Sequence, residues 1–90
     1  MLEVTATAIE QRLRERLTPH ALEVVDESAA HAGHMEGGHA QGTHFRVRIS
    51  SAVFAGVGRV QRHRLVYDAV DDFFAAGLHA LALQTDTPQD

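Results

Sequence analysis

Ninety residues, 44% hydrophobic and 22% charged, fit one globular domain with one modest core and exclude the disordered and fibrous classes. There is no cysteine, which rules out disulfides, thiolate catalysis and any zinc or iron–sulfur site built from this chain's own sulfur. The formal charge of -4 argues against a surface that is basic all over and holds nucleic acid without preference.

The first residues mix acids and bases with no apolar run before a small-residue cleavage site, and no stretch is long enough to span a bilayer. The expectation is a cytoplasmic protein without signal peptide or membrane anchor. Thr7-Ala8-Ile9-Glu10 reads as a capping box, and Ile9, Leu13 and Leu17 then recur at helical spacing until Pro19. This predicts a first helix over Thr7 to Leu17, with Glu10 and Arg14 as an i,i+4 ion pair on its outer side.

Ala21 to Asp26 is a short β-prone run closed by Asp26-Glu27-Ser28, residues that favour turns. Thr43 to Ser50 alternates: Phe45, Val47 and Ile49 point one way, while His44, Arg46, Arg48 and Ser50 point the other. Between these two strands, residues 29–42 are rich in Gly and Ala and lack periodicity, which predicts a long loop, poorly ordered without a partner. It carries His31, His34 and His39, with His44 just beyond it.

A turn at Phe54-Ala55-Gly56-Val57-Gly58 precedes a second helix over Arg59 to Ala75, where Val60, His63, Tyr67, Val70 and Phe74 step by three or four along one face. Arg64 and Asp68 are spaced to pair on it. Gly77 closes the helix, Leu78 to Leu83 reads as a buried third strand, and Thr85 to Asp90 as a frayed tail. The order is α-β-β-α-β. Because the crossover between the second and third strands is right-handed, those strands run parallel, giving an α/β fold with a three-stranded mixed sheet covered by helices. The expected core is Phe45, Val47, Ile49, Val70, Phe74, Leu81 and Leu83.

Neither Gly37-Gly38 nor Gly56-Val57-Gly58 has the ending or spacing of a phosphate loop, and no nucleophile elbow accompanies the Ser, His and Asp residues. Nucleotide binding and hydrolysis are therefore not expected. With sulfur absent, metal chemistry must come through nitrogen and oxygen, and seven histidines supply the nitrogen. All eight basic residues are arginine. Arg46, Arg48, Arg59, Arg62 and Arg64 form mid-chain clusters that suit either an acidic partner, glutathione carboxylates or the phosphates of a nucleic acid.

The stretch Phe54-Ala55-Gly56 with Arg62-His63-Arg64 after it, continuing as Leu65-Val66-Tyr67, resembles the signature of the BolA family. Leu22 to Ser28 and Thr43 to Val47 look like that family's first two strands, and His79 to Thr85 like its third. The resemblance covers almost the whole chain. It implies a fold similar to the class II KH domain and a non-enzymatic partnership with a monothiol glutaredoxin, in which a [2Fe-2S] cluster is bridged between the two proteins and glutathione. The chain alone would be a monomer and would form a heterodimer with the glutaredoxin. By resemblance the cluster ligands on this side are His63 and, from the loop, His31, with His34 as a possible substitute. A second implied function is transcriptional regulation through DNA contact by a KH-like basic face, to which the five mid-chain arginines would contribute.

Overall fold

The computed structural model describes residues 2–31 and 42–88, with the side chains of residues 30 and 31 left aside. Helix α1 spans Ala6–Leu17, strand β1 Ala21–Asp26, and the single turn α2 Ser28–His31. Strand β2 spans His44–Ser50, followed by a 3-10 turn at Ala52–Phe54, helices α3 over Arg59–Ala69 and α4 over Asp71–Ala75, and strand β3 over Ala80–Asp86. The sheet order is β1-β2-β3, with β1 antiparallel and β3 parallel to β2. The α/β class, element order and mixed sheet are as the sequence predicts.

The alternation of β2 decides where the helices sit. Phe45, Val47 and Ile49 are buried, while Arg46 and Arg48 are exposed. The buried residues join Ile9, Leu13 and Leu17 of α1 and Val66, Ala69, Val70 and Phe73 of the α3–α4 segment in one apolar cluster. Both helical layers thus cover the same face of the sheet, and the other face is open. Five of the seven expected core residues are buried; Phe74 and Leu83 pack against the cluster from its margin.

Three local expectations shift. The cap of α1 is Thr5, whose hydroxyl accepts the Ala8 N–H at 3.1 Å. Thr7 lies inside the first turn, so the capping box with Glu10 does not form. The Glu10–Arg14 pair does form, at 3.0 Å, and α1 ends at a left-handed Thr18 before Pro19.

The second predicted helix is broken. At Val70 (φ -117°, ψ 20°) the chain leaves helical geometry, and α4 begins at Asp71. The buried face is Val66, Ala69, Val70 and Phe73; of the predicted stripe Val70 is buried and Phe74 lies at the core's margin, while Val60 is 71% and Tyr67 38% exposed. Arg64 and Asp68 do not pair. Arg12 of α1 bridges the break, donating to the Ala69 carbonyl at 3.0 Å and to both carboxylate oxygens of Asp72 at 2.6 and 3.0 Å, with its guanidinium over the Phe73 ring.

Third, β3 starts later and runs further than its apolar run suggests. Gly77, at φ 126°, donates to the Phe74 carbonyl and Leu78 to that of Phe73, a pairing that closes α4 and turns the chain. Thr85 and Asp86, expected in the tail, belong to the strand, and the Asp86 carbonyl accepts the Ser51 N–H at 2.9 Å.

Candidate functional site

The first structural consequence of the Asp26-Glu27-Ser28 turn is a staple at the end of β1. The Asp26 carboxylate accepts the N–H groups of Ser28 and Gly42, at 2.8 and 3.1 Å. Ser28 is fully buried, and its hydroxyl oxygen accepts the N–H groups of Thr43 and His44, at 2.8 and 3.0 Å. Partial burial pushes the Asp26 carboxyl up, and the hydrogen bonds from Ser28 and Gly42 outweigh it, leaving the group below the ordinary aspartate value. Gly42 stands at φ 78°, and a Cβ there would lie 2.8 Å from the Val4 carbonyl oxygen. The two chain ends flanking residues 32–41 are thereby fixed beside each other at one end of the sheet.

At that same end, β2 and β3 begin in parallel, with His44 opposite Ala80. His79, one residue earlier, donates its backbone N–H to the Thr43 carbonyl at 2.8 Å. The register brings the His44 and His79 rings edge to face, with centroids 5.8 Å apart. His44 Nδ1 is 3.0 Å from the Thr43 hydroxyl, which orients the ring. His31 closes α2, which leads from this end of the sheet into residues 32–41; His34 and His39 lie outside the described residues.

His63 is elsewhere. It sits half-buried on α3, lining a shallow concavity with Gly58, Arg59, Leu83 and Thr85. Because α3 runs antiparallel to β3, its N-terminal part lies beside the far half of that strand. The Leu83–Thr85 segment is about 13 Å along β3 from the Ala80 end, at the usual rise per residue. The structure does not bring His63 to the end of the sheet where α2 stands. The histidines it does bring together, among the described residues, are His44 and His79. The sequence places His79 only as a strand residue; its one signal is a lone imidazole interrupting the apolar run Leu78-His79-Ala80-Leu81.

The five arginines do not share a face. Arg46 and Arg48 project from the open side of the sheet, where Arg46 pairs with Glu27 at 2.8 Å and Arg48 stands opposite Glu23. Arg59, Arg62 and Arg64 belong to α3, on the covered side. Arg62 is turned inward: its Nε donates to the Val57 carbonyl at 2.7 Å, its Nη1 to the Thr85 carbonyl at 3.3 Å, and its guanidinium lies 5.9 Å from the centre of the Phe54 ring. Phe54 is fully buried and Gly56 supplies φ 73° for the turn between them. The motif Phe54-x-Gly56 with Arg62 is thus one structural unit, an anchor, a turn and a clamp.

The model of the family described as BolA-like protein matches residues 13–90. The chain belongs to the BolA-like family. An Arabidopsis thaliana structure, the BolA domain of SufE1, superposes with a TM-score of 0.84 at 42% identity over 98% of this chain and 96% of that one. BolA1 from the same plant superposes at 0.83 with 39% identity, over 98% and 96%. Among curated relatives, an uncharacterised Sinorhizobium protein encoded in the cobS 5' region is 47% identical over 89% of this chain and 87% of its own. Mouse BolA-like protein 1 is 43% identical over 90% of this BolA-like chain, which spans 56% of the mouse protein. Among the described residues, no helix is long and apolar enough to cross a membrane.

Proposed function

We propose that this BolA-like chain is a non-enzymatic partner that binds a monothiol glutaredoxin and co-ligates a bridging [2Fe-2S] cluster with it and glutathione. The observation that carries the reading is the His44–His79 pair, held at the end of the sheet from which α2, closed by His31, departs. The donor set fits. Imidazoles supply nitrogen only, and the sulfur such a cluster needs must come from glutaredoxin and glutathione thiolates. His44 is pre-oriented by Thr43, and His79 by the strand start, so each would enter a shared site with much of its ordering already done.

On this reading the first ligand is His79 rather than His63, with the second nitrogen from His44 or from His31 at the end of α2; the nearness of His79 to His44 supports it. Mixed nitrogen and thiolate ligation raises a cluster's potential above that of all-thiolate ligation, a property suited to transfer or to sensing of iron and redox state. A DNA-binding reading gains no support from the arginines, which divide between the two sides of the sheet and include one, Arg62, occupied by backbone carbonyls.

The test mixes the protein with a monothiol glutaredoxin, glutathione, ferrous iron and sulfide, and follows visible absorption and circular dichroism. A spectrum distinct from that of the glutaredoxin's own cluster, in a one-to-one complex, is expected. Failure of any mixed complex to form would overturn the reading.

A further inference from the structure

Strand β3 is an edge strand, and its pairing with β2 leaves one side of its backbone unpaired. The Ala80 N–H and the Asp86 carbonyl point toward the β2 side, donating to Thr43 and accepting from Ser51. The even-numbered residues therefore face β2, and the backbone groups of Leu81, Leu83 and Thr85 face outward. Two of these three outward carbonyls are taken by side chains of α3. Tyr67 donates its hydroxyl to Leu81 at 3.2 Å, and Arg62 donates Nη1 to Thr85 at 3.3 Å. Both donors are held in place: Tyr67 stacks on Phe74 at 5.5 Å, and Arg62 is anchored by Val57 and Phe54.

Apart from Asp86 at its end, the strand carries none of the usual protections against edge pairing. From Ala80 to Thr85 it has no charge, no proline and no bulge. It is also complementary to itself. If a second copy lies antiparallel with Leu83 opposite Leu83, each Leu81 faces a Thr85, so every outward N–H of one strand meets an outward carbonyl of the other. Asp86 of each copy then falls opposite Ala80, next to a His79, and no like charges meet. The carbonyls this pairing needs on either side of its centre, those of Leu81 and Thr85, are the ones Tyr67 and Arg62 hold.

We propose that Arg62 and Tyr67 guard the outer edge of β3, and that once they release it the edge pairs with the β3 edge of a second copy of this chain. Arg62, on this reading, acts through the strand and touches no nucleic acid. The occupied carbonyls are withdrawn from an incoming strand, leaving only the central Leu83 carbonyl, too few bonds to hold two chains together.

The test compares wild type with Arg62→Met/Tyr67→Phe, which keeps the aliphatic stem over Phe54 and the ring on Phe74 but removes both donors. Mass is measured by light scattering after size exclusion across a concentration series, with far-UV circular dichroism as the check of folding. Wild type is expected to stay monomeric, and the double variant to double its mass as concentration rises, with slowed hydrogen exchange at the Leu81, Leu83 and Thr85 amides. Adding Ala82→Glu and Gln84→Glu, which place like charges opposite each other in this register, should restore the monomer. A folded double variant that remains monomeric throughout overturns the proposal, as does a wild-type chain already dimeric through β3. Should the double variant fail to fold, Tyr67→Phe alone decides: it frees the Leu81 carbonyl to accept the Thr85 N–H of a second copy, so concentration-dependent association with protection of the Thr85 amide supports the guard, and a strict monomer refutes it.

Discussion

Ser28 and His44 lie 16 residues apart, and the buried Ser28 hydroxyl accepts the His44 backbone N–H at 3.0 Å while also accepting that of Thr43 at 2.8 Å. One oxygen therefore sets where the second strand begins and fixes the backbone beneath the histidine pair.

Ser28→Ala should remove the hydroxyl that both N–H groups donate to, and the Thr43 N–H is in a buried residue. An unsatisfied buried donor costs about 1–3 kcal/mol. The expected result is a loss of that order in urea unfolding, with hydrogen exchange at Thr43 and His44 accelerated more than in the body of β2. An unchanged denaturation midpoint would show that water replaces the hydroxyl freely.

The hydrogen bonds to Asp26 have a pH consequence. A carboxylate held below its unfolded value of about 3.8 favours the folded state at all pH values above that, and the benefit disappears as pH falls through the lower folded value. Asp72, lowered chiefly by its hydrogen bond from Arg12, acts in the same direction. Stability should thus be flat near neutrality and decline below about pH 4. In Asp26→Asn, which does not ionise, the acid decline should be shallower; identical pH profiles for the two proteins would remove Asp26 from the account.

The buried face of the α3–α4 segment is open to a direct comparison. Phe73 is buried at 1% exposure, and Phe73→Ala should cost about 3–5 kcal/mol through lost burial and the cavity left behind. Val60→Ala, on a side chain 71% exposed, should fall within about 0.5 kcal/mol of wild type. Equal losses from the two substitutions would restore the stripe that includes Val60.

Ligand assignment separates two helices' worth of structure. His79→Ala should abolish the mixed-cluster spectrum with the glutaredoxin, while His63→Ala should retain it, since His63 faces the far half of β3. The reverse result would return the ligand to the Arg62-His63-Arg64 motif without touching the partnership itself. Neither change removes a core contact, so both variants should melt close to wild type.

Element order was legible because the local signals agree with one another: period-two alternation in β2, a narrow apolar stripe in α1, and Gly77 at the end of α4. The face of α3 was not. Val60, His63, Tyr67, Val70 and Phe74 satisfy helical spacing as well as the buried set does, and the two stripes are neighbouring faces that share Val70, between which spacing alone does not choose. The capping box failed for a related reason, since Thr5 and Thr7 both offer a hydroxyl and only the fold selects between them. The pairing of His79 with His44 is not legible in the sequence, because it arises from parallel register between strands whose starts, His44 and Ala80, are 36 residues apart, and no local period encodes it.

The central position of β2 has a consequence for how the chain acquires this structure during synthesis. β2 pairs along its whole length with β3, the last of the described elements, and the Ser51–Asp86 bond lies at the end of that pairing. A nascent chain still lacking residues 80–86 has a bare side on its middle strand, and Phe45, Val47 and Ile49 lack the cover that Leu81 and Leu83 bring. Folding of this domain must therefore wait until the ribosome has released β3. Up to that moment the unpaired side of β2 is the kind of surface through which incomplete sheets aggregate.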